Sequence, residues 1–164
     1  ITGLIHDLGK VLFKFGEPSC FVVGDTYVLD SELPKSIVYY NTFSEEMKNI
    51  KGNGKYMDKC GIENLNIAFG HDEYLYMVLK NNLGHKLSEK YLDMIRFHSF
   101  YPWHSENEYQ QFMKEKDYEL LENVRDLNQY DLYSKEDTEF KLTNEIKSYY
   151  KKLLIEYFPK KLNW

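Results

Sequence analysis

The amino-acid sequence predicts a mostly α, single-domain protein: a helical bundle with long loops and at most a short β-hairpin. Three observations carry this expectation. The chain has 164 residues, enough for one domain that buries roughly 70% of the surface its unfolded form would expose. Apolar residues recur at helical spacing in several separate stretches. Strand-like composition, rich in β-branched and aromatic residues, is confined to CFVVGDTYVLD (20–30).

Taken in order, Leu4, Ile5, Leu8, Val11, Leu12 and Phe15 have helical spacing from the outset, which predicts an opening helix and a further segment upstream of Ile1. That helix should stop near Gly16, because glycine suits a left-handed position after a helix and Pro18 cannot continue one. From Cys20 to Tyr40 the reading is a loop with at most a short hairpin around Gly24-Asp25, and Pro34 follows. Asn41 to Lys59 holds Gly52, Asn53 and Gly54 among charges and reads as an exposed loop. The remaining helices are expected at Ile62 to Lys80, interrupted or restarted near Gly70; at Ser88, a candidate N-cap, to about Phe100; at Lys116 to about Tyr133; and at Thr143 to Phe158, closed by Pro159. There is no internal repeat and no domain linker.

Composition excludes several classes. Against 21 Lys and Arg stand 26 Asp and Glu, a net charge of −5 with no long basic run, so the footprint of a nucleic-acid binder is missing. Cys20 and Cys60 belong to no CxxC pair, which argues against a zinc ribbon or a disulfide framework and for a reduced, cytoplasmic setting. No stretch approaches the ~18 apolar residues that span a bilayer, and nothing at the start resembles a signal peptide. Neither nucleic acid nor membrane is expected as a partner, and a monomer is the expectation. The 15 Tyr, 10 Phe and 2 Trp are expected in packing and interfaces, not in radical chemistry.

The residues able to carry chemistry form an ordered series. His6 and Asp7 are adjacent on the first helix, His71 with Asp72 opens a helix after Gly70, His98 lies late in the next, and Asp131 late in the one after. Each alone is weak, since an isolated helical histidine is more often structural. Delivered from successive helices to one core, they are the means by which bundles build metal sites. Imidazole with carboxylate suits iron, manganese or zinc, and the ligand types alone do not choose among them. Lys10, at i+4 from His6 and i+3 from Asp7, can share their helix face; otherwise it is a solvated surface lysine.

LIHDLGK (4–10), GEP (16–18), VVGDT (22–26), CGIEN (60–64), GHDEYLY (70–76), MIRFHSFYPWH (94–104) and YDLYSK (130–135) resemble the motif blocks of myo-inositol oxygenases, in that family's order. The likeness runs almost end to end and is weakest across 41–59 and 105–125. It implies an HD-domain-like bundle holding two iron ions: Asp7 bridging them, His6 and Asp131 on one, His71 and His98 on the other. It further implies myo-inositol and O2 as substrates and D-glucuronate as the product of a four-electron ring cleavage. Lys10 would stabilise a substrate alkoxide; Gly24, Asp25, Ser99 and Lys135 would surround the polyol, with Asp25 accepting and Ser99 and Lys135 donating. Alternatively, Asp25 is a turn residue after Gly24. Asp72 and Glu73 are read either as acceptors that orient imidazoles or as helix-start charges favoured by the dipole. His85 and His104 are left outside the site.

The family pattern also holds a histidine ligand on a helix before LIHDLGK, with substrate-binding residues further upstream. The resemblance therefore implies that residues 1–164 are the C-terminal portion of an HD-like domain, with a metal site weakened when taken alone. Two other readings stand beside it. An HD-type phosphohydrolase would use similar ligands against a phosphate ester, but only Arg96 and Arg125 are available as guanidinium partners. A non-catalytic remnant would bind a partner through tyrosines and apolar helix faces.

Overall fold

The computed structural model describes residues 1–52, 54–131 and 141–164. Its architecture is the expected mostly α, HD-domain-like bundle, and among the described residues there is no sheet, only an isolated antiparallel bridge between Val28 and Ile67.

The opening helix differs from the expectation in pitch. Helix α1 (Thr2–Ile5) passes at once into a 3₁₀ helix, His6–Phe15, which ends at Gly16 in the left-handed conformation, its N–H shared by the carbonyls of Leu12 and Phe13. A 3₁₀ helix has three residues per turn, so side chains three apart eclipse. The buried row is accordingly His6, Gly9 and Leu12, while Leu4, Leu8 and Phe15, part of the apparent apolar stripe, are exposed.

Residues 20–40 form no hairpin. Helix α2 (Ser19–Val22) is followed by extended chain that pairs elsewhere: the Leu29 N–H donates to the Asn66 carbonyl at 2.8 Å and the Ala68 N–H to that of Tyr27 at 2.8 Å. This pairing also explains why the helix expected from Ile62 is absent before Gly70. Only a 3₁₀ turn, Ile62–Asn64, forms there, and the chain then runs extended to meet residues 27–29. The loop at 41–59 carries a short helix, α3 (Glu45–Lys48), capped by the Ser44 hydroxyl.

Helix α4 (His71–Asn81) starts directly after Gly70, and α5 (Glu89–Phe97) follows Ser88, whose hydroxyl makes no capping bond. The chain leaves α5 at His98, earlier than expected, and one turn of helix, α6 (Tyr101–His104), begins after Phe100 with Pro102 near its start. Proline has no N–H to continue a helix that began further back. Helix α7 (Asp117–Asp131) matches its expected course; the expected end at Tyr133 lies outside the described residues. Helix α8 (Asn144–Tyr157) begins at Thr143, whose hydroxyl accepts the Ile146 N–H.

Two apolar clusters hold these parts together. One is built around Phe97, Phe100 and Trp103, all fully buried, with Ile62 and Val124. The other joins Ile5, Leu75, Leu79, Leu92 and Ile95, with Tyr157, Phe158 and Leu162 packed against it. Helix α5 feeds both clusters, so the chain around His98 is fixed from two sides. Each fully buried aromatic contributes on the order of 1.5–3 kcal/mol by leaving water. No helix among the described residues is long and apolar enough to cross a membrane.

Candidate metal centre

Three imidazoles reach one place from three elements, and each is aimed in the same way. His6 Nδ1 lies 2.8 Å from the Gly3 carbonyl, His71 Nδ1 2.6 Å from that of Val22, and His98 Nδ1 2.7 Å from that of Ile95. A carbonyl oxygen only accepts, so each Nδ1 carries a proton and each ring turns its Nε2 inward. The backbone thereby sets tautomer and ring direction at once, a task often given to carboxylates around metal ligands.

The Nε2 atoms converge on Asp7. Its Oδ1 lies 3.2 Å from His71 Nε2 and 3.8 Å from His98 Nε2; its Oδ2 lies 3.8 Å from His6 Nε2. His71 and His98 Nε2 approach each other to 3.1 Å, and His6 Nε2 is 2.9 Å from Asp131 Oδ1. Ligand atoms of His6, Asp7 and His98 all fall within 4.8 Å of one another. These contacts set Nε2 against Nε2 and Nε2 against carboxylate oxygen. Such a cluster is stable only with protons or cations between its members, and its mixed nitrogen and oxygen set fits first-row divalent metals. The donor set therefore fits a metal group on both sides of Asp7.

Burial opposes ionisation of Asp7, yet hydrogen bonds from His71, His98 and Lys10 and the charge of His6 outweigh it and hold the carboxyl far below the ordinary carboxylate range. Of these partners, Lys10 requires no proton on a ring: its Nζ is 2.7 Å from Asp7 Oδ1, three residues along the 3₁₀ helix. Both side chains are partly open to solvent, so the site has a mouth at this pair.

Gly9 makes the approach of α4 possible. A Cβ at this position would lie 1.8 Å from the His71 carbonyl oxygen and 2.7 Å from its carbon. Only glycine lets the start of α4 pass this close to the 3₁₀ helix and deliver His71 to Asp7. A glycine two residues after His-Asp was the available sequence signal, though periodicity alone gave it no meaning.

Two other supports also went unread in the sequence. The Tyr101 hydroxyl donates to Asp131 Oδ2 at 3.0 Å. His104, set aside at first, is buried, and its Nε2–H donates to the His98 carbonyl at 2.9 Å while the Ser105 hydroxyl serves its Nδ1. Burial, with the charges of His98 and Arg125, pushes His104 down to about 4 against the backbone bond to His98, so it is neutral near pH 7. His85 sits apart, on the Leu79 carbonyl.

Asp72 and Glu73 do not touch the imidazoles. Asp72, buried, accepts from the Thr26 hydroxyl and the Glu73 N–H, and Glu73 pairs with Arg96 at 2.7 Å. Their position at the first turn of α4 suits the helix-start reading.

The polyol residues are less uniformly gathered. The Ser99 hydroxyl is buried 3.5 Å from His71 Nε2. Asp25 Oδ2 accepts the Val38 N–H at 2.8 Å, tying two parts of the loop together, and its carboxyl is pushed up by burial and by the nearby charge of Glu106. Gly24 is exposed with open space around it. Lys135 lies outside the described residues.

Helices that turn three imidazoles and two carboxylates toward a common centre define a helical protein with a candidate metal-binding group. Over residues 1–164 the chain matches the family model described as Myo-inositol oxygenase. It is 43% identical over 170 residues to the inositol oxygenase of Danio rerio, covering all of this chain and 60% of that protein. It is 43% identical over 176 residues to that of Dictyostelium discoideum and 38% over 170 to that of Homo sapiens, covering 58% and 59% of them. The chain belongs to the myo-inositol oxygenase family, and it spans about three-fifths of the length of the curated relatives it matches.

Proposed function

We propose that the chain is the part of a non-haem di-iron oxygenase that carries most of its iron ligands, in an enzyme that opens the ring of myo-inositol with O2 to give D-glucuronate and one water. The observation that carries this reading is the shared geometry of His6, His71 and His98: every Nδ1 is committed to a backbone carbonyl, and every Nε2 faces the two oxygens of Asp7.

In this reading His6, Asp7 and Asp131 would hold one ion, and Asp7, His71 and His98 the other. The negative charge of Asp7 lowers the repulsion between the two cations. Bound iron supplies redox chemistry with O2 and Lewis acidity toward a substrate hydroxyl. Lys10, already beside Asp7, supplies N–H donors to the negative oxygen that such a hydroxyl becomes. Ser99, next to His71, is a donor to a ring hydroxyl; Asp25 and the Gly24 backbone form the outer rim, and Lys135 is assigned to the same ring by family likeness. The reading goes with a monomeric, cytoplasmic protein. Both cysteines are free, as a reducing compartment requires, and sedimentation and cell fractionation check these two points.

The test is iron content and inositol-dependent O2 consumption in the complete protein. Asp7→Asn and His98→Ala should each lower bound iron and abolish turnover; unchanged iron in both would defeat the ligand assignment. Phosphate-ester hydrolysis is the poorer reading, because Arg96 is taken by Glu73 and Arg125 by the His104 carbonyl, Glu122 and Asn107, leaving neither guanidinium for a phosphate.

A further inference from the structure

Asp131 is the last described residue of α7. Its side chain is largely buried and makes two contacts of different kinds. Oδ1 meets His6 Nε2 at 2.9 Å and Oδ2 accepts the Tyr101 hydroxyl at 3.0 Å. The first contact is shared with the candidate metal group. The second comes from α6, a single turn anchored by Phe100 and Trp103, both fully buried.

We infer that Tyr101 is a positioning residue of the metal centre, its hydroxyl occupying Asp131 Oδ2 so that the carboxylate presents Oδ1 alone, beside His6. Without that bond the carboxylate is free to rotate and to offer both oxygens or neither. Helices α6 and α7 are also joined independently of this bond, through Arg125 Nε on the His104 carbonyl at 2.7 Å. Loss of the hydroxyl is therefore felt at the carboxylate while the helices stay docked. The same turn sends His104 Nε2–H to the His98 carbonyl, so one rigid loop braces a ligand on each side of Asp7.

The inference rests on the metal-centre reading and not on the oxygen chemistry, and its test needs neither inositol nor O2. Tyr101→Phe in the complete protein is titrated anaerobically with ferrous iron by calorimetry. Infrared carboxylate bands, which separate one-oxygen from two-oxygen coordination, are recorded alongside the metal-free melting curve. The expected result is one iron constant weakened 10–100-fold, the other unchanged, a shifted carboxylate band and an unaltered melt. Equal constants and identical bands in variant and wild type would overturn the inference and leave the metal centre standing. Loss of both constants together with a lowered melt would overturn it in favour of a merely structural role. A wild type that binds no iron would overturn the metal-centre reading and this inference with it.

Discussion

On the metal-centre reading proposed above, replacing Gly9 by alanine should cost the protein its metal binding before it costs the fold. The added Cβ would stand 1.8 Å from the His71 carbonyl oxygen, against an ordinary carbon–oxygen separation of about 3.3 Å, so the start of α4 must retreat by roughly 1.5 Å on the same scale. The atoms it meets are the backbone of His71 and a Cβ has no rotamer, so no side-chain change relieves the clash. Carried to the side chain, the retreat stretches the His71 Nε2 to Asp7 Oδ1 distance of 3.2 Å beyond what one metal ion can bridge, since coordination distances hold within about 0.2 Å.

The thermodynamic cost is smaller than the functional one. Overpacking of this kind costs about 1–3 kcal/mol, and the better helix propensity of alanine returns up to about 1 kcal/mol, so the metal-free protein should melt only a few degrees lower. Iron content per chain should fall by at least tenfold. Gly3→Ala is the matched control: its Cβ meets only Leu127 Cδ1, at 3.8 Å, and sits within α1, so this variant should bind iron normally and be at least as stable as wild type. A Gly9→Ala protein with full iron content, or a Gly3→Ala protein damaged to the same degree, would refute the reasoning.

Three further outcomes are expected. Arg96→Met should destabilise the protein by about 2 kcal/mol, because it strands Glu73 in a partly buried ion pair; adding Glu73→Gln should recover part of the loss in a denaturation double-mutant cycle, and strict additivity would refute the coupling. Thr143→Ala removes the hydroxyl that caps α8 and should cost about 1 kcal/mol, read as faster amide exchange along that helix. For His104, about 4 when folded and about 6.5 when unfolded, the unfolded chain binds more protons between these values, so stability falls as pH drops from about 6.5 to about 4 and levels off below. The loss approaches about 3 kcal/mol, and His104→Gln, which keeps a donor but does not titrate, should flatten the acid limb of metal-free melting curves.

The candidate site residues and their order were legible in the sequence because histidine and aspartate near the ends of periodic segments are local signals. His71 directly after Gly70, and His98 at the close of an amphipathic run, could be placed on the correct elements without any contact being known. The pitch of the first helix was not legible. Its apolar residues satisfy a 3.6-residue period as well as any α-helix, yet the buried row His6, Gly9, Leu12 follows a period of three, with α4 passing close at Gly9. Nor was the pairing of residues 27–29 with 66–68 legible, since both partners are short and each reads alone as a loop or a helix fragment. Tertiary contact decided both cases.

The change of pitch bears on the chemistry. In an α-helix, residues three apart are offset by 60° around the axis; in a 3₁₀ helix they eclipse. Eclipsing stacks His6 over Gly9 and Asp7 over Lys10, so the row that carries an imidazole is also the row on which glycine admits the next helix. The adjacent row carries the carboxylate with its lysine. A relaxed α-helix over the same residues would offset Lys10 from Asp7, and Gly9 from His6, by 60° around the axis. The tight pitch of residues 6–15 is thus part of how this chain brings Asp7 under three imidazoles. Any substitution that lets this segment unwind toward α-helix should loosen iron binding even where it leaves every ligand in place.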